Sequence, residues 1–455
     1  MYIRICLLIS LSYIVFLFGC SNNLNELTSL EDIDYQNDLK TQSSSMEMEL
    51  DYQQITLETE PNNVLNLNHA LALTLIHNPE LKAYSFGMRA AEAHQLQEGL
   101  TPNPELEVEV EEFGGSSDRS EFESAETTFQ LSQTIELGDK SQKRKKVASL
   151  EKEIAKINYQ IAKSKILNEA TIAYIQVLSA QEKLKISNQL LDVSLESFES
   201  VKKRVDAGKD SPLEIDRASI ALSNIKIDNQ QAYLDLENAK MLLASFWAKD
   251  ILEFEQVAGG FYTLEPIEPY EYYSKLLINN PEFKLWEIEV KKSQAELDLE
   301  KSKSIVDMTI GAGIQSFNET DNNAFVFSMS IPLPISDRNQ GARQKAIYNL
   351  AQKKMEQKAV RLNTNNLLST TYTTYRNTFT TVTSNKKDIL PAAANLYESA
   401  KTAYREGKID YLNLLDAQRT LFEAQYNYIN NLTLYHITKT NINKLINNQY
   451  TAIIE

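Results

Sequence analysis

Cysteine is almost missing: of 455 residues only Cys6 and Cys20 carry a thiol. That excludes a disulfide framework or a thiolate metal site in everything downstream of Cys20. Histidine is equally scarce, with His69, His77, His94 and His436 alone. None lies in an HExxH pattern, and the three on one predicted helix are not spaced i, i+4, so no resident metal site is expected. Beyond the first twenty residues, no apolar run approaches the ~20 residues a spanning helix needs. Any further membrane crossing is therefore restricted to β-strands. Positive charge is in the minority, 46 Lys and Arg against 62 Asp and Glu, a net charge of −16 that argues against a nucleic-acid partner. No glycine-rich phosphate loop, Gly-x-Ser-x-Gly elbow or nucleophile–base constellation appears, so neither an enzyme nor a cofactor is expected.

What is present begins with a processing segment. Arg4 supplies a positive start, an apolar run follows from Ile5 to Phe18, and Leu17-Phe18-Gly19-Cys20 closes it. A small residue before cysteine is the pattern of a bacterial lipoprotein signal, so residues 1–19 are read as a signal peptide and Cys20 as the lipidation site. An uncleaved anchor or a plain secretory signal is the alternative. Ser21 and Asn22 follow without an aspartate, a pattern similar to lipoproteins of the outer membrane. Residues 20–64 read as an extended lipidated segment, and 448–455 as a short tail.

The rest repeats itself. Asn78-Pro79-Glu80 returns as Asn280-Pro281-Glu282, a shift of 202 residues. Phe129-Gln-Leu-Ser returns as Phe327-Ser-Met-Ser at 198, and Ala207-Gly208-Lys209 as Glu406-Gly407-Lys408 at 199. A tandem duplication follows, with repeats at 65–265 and 266–447. Each half reads as a helix, two strands and two long helices. The leading helices, 67–100 and 270–303, are interrupted at Asn78-Pro79 and Asn280-Pro281. Ile166, Ala170, Ala173, Val177, Ala180 and Leu184 step by four and three, and the run from Leu414 to Leu445 does the same. Those are coiled-coil seams. With no proline from Lys140 to Lys202, a helix on the order of 90 Å is expected. The basic cluster Lys140 to Lys146 reads as a solvated helix start, with contact to anionic headgroups as the alternative.

The strands alternate. Leu106, Val108 and Val110 share one face of the run 105–111, and Glu105, Glu107, Glu109 and Glu111 the other. Thr127 to Ile135, Met308 to Ile314 and Phe325 to Ile331 alternate likewise. Four strands cannot close a cylinder in hydrocarbon, where known barrels need about eight or more. Several chains must pool them. The apolar positions would then meet lipid and the four glutamates the lumen, as a cation-attracting ring or simply as polar lining. A soluble antiparallel coiled coil explains the helices but leaves the strands without a role.

At this point the chain resembles the TolC-type outer membrane factor family. The residues that carry the likeness are Ala70-Leu71 through Asn78-Pro79-Glu80-Leu81, Pro102-Asn103-Pro104, and Leu131-Ser132-Gln133-Thr134-Ile135-Glu136-Leu137-Gly138. Ile331-Pro332-Leu333-Pro334, Asp337-Arg338-Asn339-Gln340-Gly341 and Gly407 through Arg419 complete the set. The resemblance implies a mostly α fold: coiled-coil helices forming a periplasmic α-barrel, and four strands per protomer in a shared 12-stranded barrel of a homotrimer. It implies a passive outer-membrane conduit fed by a periplasmic adaptor and an inner-membrane pump. Ala207 through Glu214, together with Pro332 to Gly341, is most similar to the heavy-metal branch of resistance–nodulation–division systems. The same duct serving drugs or type I protein secretion is the transport alternative, and a periplasm-spanning lipoprotein without a pore is the structural one. By resemblance, Gly208 and Gly407 mark the tip turns, and Asp416 and Asn413 fall at the tunnel constriction, with Glu214 the first-repeat counterpart. Where the best-known members carry aspartate, this chain has Asn413, which reduces the acidic ring. Asp416 as a solvated surface carboxylate is the plain alternative.

Overall fold

The computed structural model describes residues 63–116, 119, 122–250 and 253–447. Cys20, the signal at 1–19, most of the 20–64 segment and the tail at 448–455 lie outside the described residues. The chain runs β1 (Val64–Leu65), α1 (Leu67–His77), α2 (Pro79–Glu98), β2 (Glu105–Glu111), β3 (Glu126–Ile135), α3 (Lys140–Asp206) and α4 (Leu213–Ser245). It continues through β4 (Gln256–Val257), α5 (Tyr270–Leu276), α6 (Pro281–Ser302), β5 (Met308–Phe317), β6 (Asn322–Ser330) and α7 (Gln340–Ser384). A π-turn (Asn385–Ile389), α8 (Leu390–Arg405) and α9 (Tyr411–Leu445) complete it.

Each half is stapled by the same device. Asn78 ends α1 and caps α2, its side-chain oxygen accepting from Leu81 N at 3.1 Å. Its amide donates to Phe246 O at 2.8 Å, at the end of α4. Asn280 repeats both acts, accepting from Glu282 N at 2.9 Å and donating to Leu445 O at 2.9 Å. Proline at the first helical position then costs no hydrogen bond. The Asn-Pro pairs are helix restarts that also hold the returning arm of their own repeat.

α3 runs 67 residues without interruption, about 100 Å at 1.5 Å per residue, and α4 folds back along it. The second arm pairs α7, the π-turn and α8 with α9. The expected seam is real: Ile166, Ala170, Ala173, Val177 and Ala180 are buried, as are Leu414, Ala417, Ala424, Tyr428, Tyr435 and Ile442. The main core lies at the waist, where both arms meet a strap at residues 253–268. β1 and β4 pair there in parallel, Leu65 against Val257.

The four longer strands form one antiparallel sheet in the order β2-β3-β5-β6. The register aligns Leu131 with Leu106 and Ala312, and Phe129 with Val108 and Ile314, so the apolar positions share one face across all four strands. Glu107, Gln130, Gly313 and Val326 align on the other. There Gln130 lies flat across two glycines to donate to Ser328 Oγ at 2.7 Å. A Cβ at Gly311 would meet the Gln130 amide at 2.6 Å, and one at Gly313 the Phe129 carbonyl at 2.4 Å. Only glycine admits that approach.

The basic helix start is solvated only in part, with Lys145 and Lys146 exposed but Lys140 and Arg144 drawn into ion pairs. Lys140 is buried, its ammonium 2.7 Å from Asp307, which also accepts from Leu137 N at 2.9 Å. Arg144 forms a bidentate pair with Glu136 and reaches Glu98 at 3.4 Å. The partners come from the strand ends and from the other repeat, a contact that helix-surface reasoning does not reveal.

Candidate functional site

The sheet presents two unpaired edges, β2 and β6, and both strands are solvent-exposed along nearly their whole length. Phe325 and Phe327 are 83% and 82% exposed, with Leu106, Leu131 and Met329 beside them on the same face. Apolar side chains of this size standing free on an ordered sheet mark a surface that some apolar phase or partner covers. The opposite face holds Glu105, Glu107, Glu109, Glu111, Glu126, Gln130 and Gln315. Gln315 donates to Glu126 at 2.7 Å, and Thr134 and Thr309 hydroxyls lie 3.0 Å apart. The sheet has a lipid-compatible side and a wet side.

At the far end of the arms the two expected turns sit side by side. Gly208 (φ +69°) and Gly407 (φ +74°) each take the left-handed position that ends a helix. Lys209 N donates to Arg204 O at 2.9 Å, and Lys408 N to Ala403 O at 2.9 Å, closing the same wrapped turn twice. Asp410 then caps α9, accepting from Asn413 N at 3.0 Å and from its side-chain amide at 2.6 Å. Asn413 is thus committed to the cap. Asp416 is exposed, 3.1 Å from Arg419. Glu214 pairs with Arg217 at 2.9 Å, and its second oxygen is buried without a hydrogen bond among the described residues.

Sequence reasoning missed the residues that join the turns. Arg204 clamps Asp210 with two bonds, 2.8 and 2.9 Å, across the first turn. The same guanidinium donates to Tyr404 O at 3.2 Å and lies 4.8 Å from the Tyr404 ring centre. Tyr404 returns a hydroxyl bond to Asp210 at 3.0 Å. Arg204 holds the Asp210 carboxyl below its ordinary range, and the pairing raises the guanidinium in turn. Since Arg204 and Tyr404 are 200 residues apart, no local motif announces the link.

Long paired helices, a two-sided four-stranded sheet with open edges and a clasped double tip define a membrane duct subunit, and the comparisons identify its kin. The chain belongs to the outer membrane efflux protein family, matching it over residues 70–248 and 272–448. It is 30% identical over 385 residues to the cobalt-zinc-cadmium resistance protein CzcC of Cupriavidus metallidurans, covering 84% of this chain and 90% of that one. A membrane protein from Pseudomonas aeruginosa superposes with a TM-score of 0.72 at 15% identity, over 84% of this chain and 93% of the other. The channel CusC superposes with 0.71 at 14% identity, over 86% and 95%. The protein is an outer-membrane efflux channel component and not an enzyme.

Proposed function

We propose that three copies pool their sheets into a 12-stranded barrel, continued by the helices as a tunnel through which heavy-metal cations leave the cell. The observation that carries this reading is the sheet: four strands, two open edges, one face fit for lipid and the other for water. In hydrocarbon each unpaired edge is costly, and joining β6 of one protomer to β2 of the next removes every edge at once. Cys20 carries the lipid that holds the assembly at the outer membrane. The metal cargo is supported by the CzcC relationship and by the glutamate row of β2, twelve carboxylates when repeated around a trimer. The tunnel is a passive conduit, with a periplasmic adaptor and an inner-membrane pump of the resistance–nodulation–division class docking at the tips. There Asp416 faces the constriction, Asn413 and Glu214 shape it, and the Arg204–Asp210–Tyr404 clasp holds it narrow.

Conductance of the purified, lipidated chain in planar bilayers tests this. Cation-selective channels are expected, with larger steps in Arg204→Ala, which frees Asp210 and uncouples the turns. A stable oligomer that never conducts, even carrying Arg204→Ala and Asp416→Ala together, would reduce the protein to a periplasmic spacer.

A further inference from the structure

Just beneath the sheet, α3, α6 and α7 enclose a groove of about 570 Å³. Its walls carry Lys143, Lys146, Lys291 and Lys354 against a single carboxylate, Asp298, which is already held by Lys301 at 3.0 Å. In a chain with a net charge of −16 this is a local reversal of sign. Among the described residues, Lys146 and Lys354 have no carboxylate partner of their own, while Lys143 is turned to Gly138 O at 2.9 Å and Lys291 to Glu287 at 2.6 Å. The floor is apolar, formed by Leu150, Val290 and Leu350. An apolar floor lowers the local dielectric and strengthens attraction for an anion above it.

The groove lies on the outside of the tunnel. α6 meets α3 through Leu285, Ile288 and Lys292, and α7 through Trp286, Val290 and Leu297. At about 100° per residue, those two sets stand ~150° apart across Glu289 and Glu296, but ~210° apart across Lys291 and Gln294. Helices closed into a ring keep their neighbours on the narrower side toward the lumen. The cross-helix ion pairs agree, since Lys292–Glu151 at 2.9 Å and Lys353–Glu289 at 4.0 Å involve the Glu289 side. On the other side the helices diverge, and the groove opens there. The helices neighbour each other in the order α2-α3-α6-α7, so a seam between protomers falls at α7 and α2 and leaves the groove uncovered.

Its depth matches a headgroup layer. Lys143 and Lys146 lie about 5 and 9 Å along α3 from its strand end, bracketing the inner limit of the roughly 5 to 8 Å that headgroups add to each face of a bilayer. Lys291 and Lys354 lie roughly 10 to 15 Å deeper, below the headgroup layer itself.

We propose that this groove is a binding site for an anionic glycerophospholipid of the periplasmic leaflet. Its phosphodiester sits between Lys143 and Lys146, and its headgroup reaches down toward Lys354. Basic pockets at this level are suited to such headgroups. The site fixes the depth at which the duct sits in the membrane.

The proposal rests on the duct reading, and its test separates the two. The full lipidated chain, purified as an oligomer, is mixed with phosphatidylglycerol or phosphatidylcholine and its bound lipid is counted by native mass spectrometry. Retention of phosphatidylglycerol about fivefold above phosphatidylcholine is expected. It should fall at least fivefold in Lys146→Gln/Lys354→Gln, survive in Lys146→Arg/Lys354→Arg, and resist millimolar inorganic phosphate. Conductance of all three proteins should be the same. A conducting trimer that holds both lipids equally, ignores the glutamine pair, or releases phosphatidylglycerol to inorganic phosphate overturns the lipid site alone. A chain that never assembles overturns the duct and this site together.

Discussion

The two arms share one plan and differ in where the helical ladder is broken. In the first, α3 is continuous from the sheet to the tip, and its turn is locked by the Arg204–Asp210 pair. In the second, the corresponding rod is cut by a π-turn at Asn385–Ile389, where Leu390 N reaches back five residues to Asn385 O. Pro391 follows at once. Its turn has no bidentate ion pair and depends on Asp410 as a cap and on Tyr404 as a link to the first arm. The first arm is an unbroken strut, and the second carries a break in its backbone ladder. The two rods, Lys140–Asp206 and Gln340–Arg405, are nearly equal in length and differ at a few residues outside the seam.

Both arms are gripped at the waist by the same strap, and the grip differs in kind. Tyr174 of α3 places its hydroxyl 2.5 Å from Ala258 O and 2.8 Å from Leu65 O, while Gln181 both donates to and accepts from Val257. These are neutral groups. In α9, Tyr435 binds Glu265, Lys439 pairs with Glu265 at 2.6 Å, and His436 meets Phe261 O at 2.8 Å. The largest expected effect tests whether the strap serves both. Tyr174→Ala removes a fully buried aromatic ring and should cost about 3–5 kcal/mol, read from the urea midpoint. Hydrogen exchange should then rise in α9 around 428–442 as well as in α3. Loss confined to α3 would make the arms independent and break the comparison.

A smaller effect separates the two grips by pH. His436 is buried, its Nε2 donating to Phe261 and its Nδ1 without a partner among the described residues. Burial lowers its pKa, with Lys439 pushing the same way and Glu265 opposing. The ring is therefore neutral when folded, and a proton finds no acceptor at Nδ1. Stability from this site is intact above the unfolded value near 6.5 and declines as the pH falls below it toward the lowered folded value. Exchange at residues 259–267, corrected for intrinsic rates, should rise from pH 7.5 to 5.5, and His436→Phe should erase the rise. Residues around Tyr174 should show no such step, since burial moves that phenol further from the range. Equal acid sensitivity at both would remove the distinction.

What the sequence made legible were features written locally. Alternation in Glu105–Glu111 specified a two-faced strand, and the register then aligned its faces with those of three other strands. Asn-Pro at 78 and 280 announced helix restarts, and Gly208 and Gly407 the turns, because each demands a backbone geometry that few residues accept. The clasp of Arg204, Asp210 and Tyr404 was hidden, as was the burial of Lys140 against Asp307, 167 residues away. Both join the two repeats, and a charged side chain reads the same in sequence whether it faces water or a distant partner. The strap was hidden for a related reason: its residues follow no period and gain their place from distant partners such as Tyr174, Gln181, Tyr435, His436 and Lys439.

The π-turn gives the finest test of strut against hinge. Pro391 has no N–H, so the backbone carbonyl that would receive it in a regular helix is released, and the wider turn absorbs the change. Pro391→Ala restores the donor and lets the segment relax toward a continuous α-helix like α3. The stability gain should stay below about 1 kcal/mol, since the proline already sits in a locally adapted turn. Its signature is dynamic: exchange at 385–391 in the parent chain should exceed that at the corresponding α3 residues 185–191, and the substitution should close most of the gap. Should the two segments exchange alike from the start, the second arm is no more pliable than the first, and the π-turn is only a register shift.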